Sequence, residues 1–102
     1  VATKQQRFAI ISRFKKLLKD NKVNHPEINI YAEQWTVDDL LQSYSIQQLY
    51  SFIDYYFSVS ENPNWKYFIY NLEKIDAAKA LKEQDDIIRA KLRQQAKEWL
   101  EK

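Results

Sequence analysis

Few side chains in this sequence could do chemistry. His25 is the only histidine and there is no cysteine among the 102 residues, so a zinc site would have to be built around one imidazole, without the second histidine one helical turn away or the thiolates such sites use. Pro26 follows directly and places His25 in a connector, where an exposed turn residue is the plainer reading. Asp38 and Asp39 are adjacent and diverge around a helix. With Glu33 they would form at best a weak Mg²⁺ cluster, and magnesium sites of that kind also recruit phosphate, for which no cradle is present. Ser43, Ser45, Ser51, Ser58 and Ser60 have no paired base to activate them. The complete absence of glycine argues against P-loops, dinucleotide folds and nucleophile elbows, which need residues tolerant of positive φ. No catalytic residue, metal or cofactor is expected, and the chain reads as a non-enzyme.

The remaining functional signals are charge and aromatic surface. Residues 1–24 carry a net charge of +6, residues 25–75 of −5 and residues 76–102 of +1. In the first segment Lys4, Arg13, Lys15, Lys16, Lys19 and Lys22, with Arg7 in addition, stand against Asp20 alone. A solvated helix face explains such a run; the sharper reading is a surface for a nucleic-acid backbone or an acidic protein patch. Ten of the fifteen aromatic residues lie between Tyr44 and Ile75. Most fit core stripes, but Tyr55, Tyr67 and Tyr70 are left over and could stack on bases or face a protein partner. Their segment is acidic, which repels phosphates and favours the protein reading.

These residues must be positioned by helices. Phe8, Ile11, Phe14, Leu17 and Leu18, with Ile10, recur at three- and four-residue steps and predict a helix over 3–22 with Thr3 as a possible cap. Asn24-His25-Pro26 ends it, and residues 27–34 read as a loop or short extended segment. Trp35-Thr36-Val37-Asp38-Asp39-Leu40 then reads as a helix start. Thr36 is the cap, the two aspartates complement the positive helix end and Trp35 staples onto Leu40. Ser45, with Gln48 completing a capping box and Tyr44 placed to staple on Leu49, starts a longer helix. Ile46, Leu49, Tyr50, Ile53, Tyr56 and Phe57 face inward there, with Phe52 and Tyr55 on the flanks. Short helix, sharp turn and longer helix resemble a helix-turn-helix in outline, but the second helix lacks basic side chains.

Asn62 reads as the next cap with Pro63 at the first helical position. Trp65, Phe68, Ile69, Leu72 and Ile75 follow as an apolar stripe from which Tyr67 and Tyr70 point away. Residues 76–102 are rich in Ala, Lys, Glu, Gln and Arg, and without Gly or Pro this run reads as continuous with the Pro63 helix. Leu81, Ile88, Leu92 and Trp99 form a narrow stripe along it, with Ile87 and Leu100 beside them. Asp85 with Arg89 and Glu98 with Lys102 are spaced as helical ion pairs. The tail could lie along the bundle, or project and pair with a partner. The expected architecture is all-α, one domain of four to five helices, with residues 1–76 compact and 77–102 a charged helix. No apolar run is long enough to span a membrane, and with no secretory-type leader a soluble cytoplasmic protein is expected.

The order LLQSYSIQQLYSFIDYYF, NPNW and KYFIYNLEKI resembles a segment of small phage-encoded accessory proteins of the replication and helicase-loader type. The resemblance covers about residues 31–76 and rests on the Tyr-Tyr-Phe, Trp-x-x-Phe and Asn-Leu-x-x-Ile placements. It implies a shared fold more than a shared activity and assigns no functional residue. Together these readings give an expected function: a small phage or bacterial adaptor at a nucleic-acid-processing complex. It would bind through the basic residues of its first helix and through its C-terminal helix. The alternative is a protein–protein module with no nucleic-acid contact, inhibiting a host protein or self-associating through Leu81, Ile88, Leu92 and Trp99.

Overall fold

The computed structural model describes residues 2–100, which form five helices and no strand: α1 (Lys4–Asp20), α2 (Ile30–Ser43), α3 (Ile46–Val59), α4 (Trp65–Tyr70) and α5 (Leu72–Leu100). The expected all-α bundle with a long C-terminal helix is what the chain adopts. The structure divides into two compact units, Val1–Leu72 and Glu73–Lys102. None of the described helices is long and apolar enough to cross a membrane.

Within the first unit, α1 packs on both α2 and α3. Its start is fixed by a reciprocal capping box: Thr3 Oγ1 accepts from the Gln6 amide at 3.2 Å and Gln6 Oε1 accepts from the Thr3 amide at 3.0 Å. Together these satisfy two of the amides that a helix start leaves without partners. Its end lies two residues earlier than the periodicity suggests. The Val23 amide donates to the Leu18 carbonyl at 2.9 Å and that of Lys22 to Lys19 at 3.1 Å. This Schellman turn requires a left-handed residue, and Lys22 supplies it with φ 54° where glycine is the usual choice.

The second helix corrects the sequence reading most. Residues 30–34 are helical, not a loop, because Asn29 is the cap and its side chain accepts from the amides of Tyr31 and Ala32 at 3.0 and 3.2 Å. Thr36, Asp38 and Asp39 therefore sit inside the helix and cap nothing. Trp35 is also interior and 60% exposed, not a staple. The Ser45–Gln48 capping box of α3 forms as expected, at 3.1 and 2.8 Å. Tyr44 lies edge-on to Phe52, 5.3 Å between centroids, and Phe52 is buried rather than on the flank. Asn64, not Asn62, caps α4 by accepting from the Tyr67 amide at 3.1 Å, so Pro63 lies before the helix instead of at its first position. The expected continuous helix from Pro63 is broken at Asn71, whose Nδ2 donates to the Tyr67 carbonyl at 2.9 Å. An asparagine bonding back in this way offers the backbone an alternative to the helical ladder.

The core is centred on Phe14, which is fully buried among Phe57, Trp65, Phe68 and Tyr56 at centroid distances of 4.9, 5.1, 5.5 and 6.3 Å. Ile10, Ile11, Val37, Leu49 and Ile53 are likewise inaccessible. Trp65, Phe68, Ile69, Leu72 and Ile75 are all buried, as their spacing predicts, whereas Tyr67 and Tyr70 are exposed.

Candidate interaction surfaces

The charge surplus of α1 is partly consumed inside the first unit. Arg7 is buried: its Nε donates to Gln34 Oε1 at 3.1 Å, its Nη1 donates to the Ala2 carbonyl at 2.7 Å and lies 3.7 Å from Asp38, and its guanidinium sits 4.9 Å above the Trp35 ring. Asp38 also accepts from the Ala2 amide at 3.2 Å. The carboxylate first read as a helix-start charge is thus the anchor that holds the chain start onto α2. Arg13 pairs with Asp54 of α3 at 2.8 Å, and Lys15 with Glu27 at 2.8 Å. The Lys15 ammonium, through its hydrogen bond and its charge, holds the Glu27 carboxyl below its ordinary range.

Lys4, Lys16, Lys19 and Lys22 are exposed, and among the described residues none of them has an ion-pair partner. Lys4 lies 5.3 Å from the Phe8 ring centroid. Lys16 and Lys19 line an open concavity of about 470 Å³ together with Lys15, His25 and Glu27. Of the six basic residues singled out from the sequence, the fold therefore brings Lys15, Lys16 and Lys19 to one groove. Lys16 also reaches a second concavity shared with Arg13, Ser12, Tyr50 and Asp54.

His25 is not simply a solvent-exposed turn residue. Its Nε2 accepts from the Trp65 amide at 3.1 Å, while Nδ1 lies 2.6 Å from the Pro26 carbonyl. The neutral imidazole with its proton on Nδ1 satisfies both contacts. A second link runs from α2: Glu33 accepts from Trp65 Nε1 at 3.0 Å and from Lys66 Nζ at 2.7 Å. Burial pushes the Glu33 carboxyl up, but the hydrogen bonds from Lys66 and Trp65 and the Lys66 charge outweigh it and hold the group below its ordinary value. The same hydrogen bond to Glu33 raises the Lys66 ammonium. Tyr56 completes the arrangement, its hydroxyl accepting from the Asn64 amide at 2.9 Å. The connector and the start of α4 are thereby held by polar side chains distant in sequence. The oxygens of Glu33 are committed to this brace rather than to a magnesium cluster with Asp38 and Asp39. Among the described residues no group of three His, Asp or Glu side chains converges as a metal site would need.

The leftover tyrosines have different fates. Tyr55 is half-buried. Tyr67, 52% exposed, stacks on Tyr56 at 5.9 Å with an interplanar angle of 12°. Tyr70 is 76% exposed on the same short helix.

The second unit is organised differently. Every described residue from Ala80 onward is exposed, including Leu81, Ile87, Ile88, Leu92, Trp99 and Leu100, which are between 55% and 83% accessible. Its polar contacts are local: Lys79 with Glu83, Arg89 with Asp85 at 3.1 Å, and Gln94 with Glu98 at 3.4 Å. The Asp85–Arg89 pair forms as its spacing predicts, whereas Glu98 with Lys102 lies outside the described residues. Such pairs contribute about 0.2–0.5 kcal/mol each. They favour helix, but leave the apolar stripe uncovered. No family model matches this chain, and neither a curated protein nor a solved structure matches it.

Proposed function

We propose that this chain is a small non-enzymatic protein–protein interaction module, in which the bundle is the scaffold and α5 is the interacting element. The supporting observation is the exposed stripe of Leu81, Ile88, Leu92 and Trp99 on α5. Large side chains of this kind stabilise only when a partner removes them from water, at roughly 25 cal/mol per Å² of apolar surface. The pairing of Arg7, Arg13 and Lys15 with carboxylates inside the first unit also supports this reading, because it turns much of the basic run on α1 into internal complementarity.

The test is comparative capture from cells of the native host. The intact chain is set against a full-length variant carrying Leu92→Glu and Trp99→Ser. The reading expects partner proteins on the first and their loss from the second, with unchanged helical content. Equal capture by both would contradict it.

A second reading, an adaptor at a nucleic-acid-processing complex of a phage or bacterium, is favoured by Lys16 and Lys19 in the basic groove, with exposed Lys4 and Lys22 on the same segment. In that case labelled single- or double-stranded DNA or RNA binds at low salt and is released steeply as salt is added. Charge reversal at Lys16 and Lys19 abolishes the binding. Absence of binding at low salt would remove this reading.

A further inference from the structure

We infer that the partner of α5 is a second copy of α5, paired antiparallel in one register; this rests on the interaction-helix reading and names its occupant. Four of the six exposed large apolar residues of α5 fall on one heptad seam with two polar ones, Leu81, Ile88 and Gln95 at d, Asp85, Leu92 and Trp99 at a, while Ile87 and Leu100 lie off it. The core positions of such a seam are apolar or carry the polar residues that set register. Here each helix contributes four large apolar side chains and two polar ones, and the order of the two kinds decides how copies fit.

In a parallel pair each a residue faces its own copy. That would set Asp85 against Asp85 in a desolvating seam, with only the flanking Arg89 of each helix to offset two facing carboxylates, and no donor across the pair, which is costly. In an antiparallel pair a faces d. When Leu92 is set opposite Ile88 of the second copy, Trp99 falls opposite Leu81 and Asp85 opposite Gln95. All apolar positions then meet apolar ones, and the carboxylate meets an amide that can donate to it. A shift of one heptad toward the N-terminus sets Asp85 against Ile88 and Trp99 against Lys74; a shift the other way sets Leu92 against Gln95. Only the first register keeps apolar with apolar and polar with polar. The stripe from Leu81 to Trp99 covers about 27 Å of helix at 1.5 Å per residue, and helices in proteins owe most of their stability to the packing of such an apolar face.

The flanking positions add a signature. In this register Arg89 and Lys91 each lie across the two-fold axis from their own copies. Arg89 is already held by Asp85 in its own helix, and exposed like charges are screened by salt. Association should therefore hold or tighten as salt is added, opposite to a nucleic-acid contact driven by lysines.

The experiment uses the full chain. Sedimentation equilibrium is expected to give twice the 12.3 kDa chain mass, undiminished at high salt. Leu92→Glu returns the protein to monomer, while Ile87→Glu, off the seam, leaves it dimeric. With no native cysteine in the chain, Asp85→Cys and Gln95→Cys variants can be mixed and oxidised. The antiparallel register predicts that the mixed disulfide dominates. A monomer at every concentration, a dimer indifferent to Leu92→Glu, or homodisulfides dominating the mixture would each overturn the inference. A monomeric chain that still loses its captured partners through Leu92→Glu and Trp99→Ser would overturn self-pairing alone, leaving the interaction-helix reading in place.

Discussion

The two units of this chain treat their apolar helix faces in opposite ways, one burying them and the other leaving them exposed. In Val1–Leu72 the largest side chains are internal: Phe14, Trp65 and Phe68 meet one another at 5.1–6.1 Å. The charged groups also find partners far away in sequence, Arg7 with Asp38, Arg13 with Asp54 and Lys66 with Glu33. In Glu73–Lys102 the described ion pairs join residues one turn apart, and the large apolar side chains beyond Ala80 are exposed. Specificity resides in the contacts that are distant in sequence. Non-local pairs specify one arrangement of helices, whereas i, i+4 pairs specify only that a helix forms, leaving its apolar face to be claimed by something else.

The largest contrast is expected from truncating one aromatic in each unit. Phe14→Ala removes the ring that four others contact, and should cost about 3–5 kcal/mol of bundle stability. Trp99→Ala should leave the bundle's unfolding transition within about 0.5 kcal/mol, as a surface change does. Chemical denaturation monitored at the buried tryptophan environment measures both. Equal costs would erase the distinction between core and unclaimed helix.

Next in size is Arg7→Ala. It strands Asp38 and Gln34 in a half-buried site, and an expected loss of about 3 kcal/mol follows from leaving one member of a buried charge pair without its counterpart. Arg89→Ala, which removes the local Asp85 pair in the other unit, is expected to cost no more than about 0.5 kcal/mol. The same denaturation experiment compares them.

The Glu33–Lys66 pair gives the pH dependence its sign. Glu33 titrates below its ordinary value in the folded chain. Its contribution is therefore complete above the unfolded carboxylate value of about 4.3, and is lost as pH falls through the folded value. Lys66 is raised, so its contribution is complete below the ordinary lysine range and is lost as pH rises through the folded value. Glu33→Gln, which keeps an acceptor for Trp65 Nε1, should flatten the acid side of a stability–pH profile while leaving the protein folded at neutral pH. An unchanged acid limb would show that the brace contributes nothing.

How much of this was legible in the residues depends on the range of the interaction that decides each feature. The starts of α1 and α3 were readable because Thr3 with Gln6 and Ser45 with Gln48 are reciprocal caps within one turn. The start of α2 was misread because Thr36, Asp38 and Asp39 imitate a cap equally well. What decides against them is the earlier Asn29, together with burial of Val37 and the reach of Asp38 to Arg7 and the Ala2 amide. The role of His25 was not readable at all, since its partner amide lies 40 positions away at Trp65. For α5 the stripe of Leu81, Ile88, Leu92 and Trp99 was plain in the sequence, because a face without non-local partners is described fully by its own periodicity.

A small gain in stability is expected from relieving a local strain. Lys22 occupies the left-handed position that ends α1, where a side chain costs roughly 1 kcal/mol relative to glycine. Lys22→Gly should raise stability by about 0.5–1 kcal/mol in thermal unfolding. A destabilised variant would show that the lysine side chain contributes a contact outweighing the strain.

The claim that the bundle is self-sufficient while α5 awaits a partner is tested most directly by residue-resolved hydrogen exchange of the full chain at several protein concentrations. Amides of α1 and α3 should exchange only through global unfolding, at rates independent of concentration. Amides between Leu81 and Trp99 should gain protection as concentration rises and lose it in the Leu92→Glu variant. Strong, concentration-independent protection of α5 that survives Leu92→Glu would mean that α5 needs no partner.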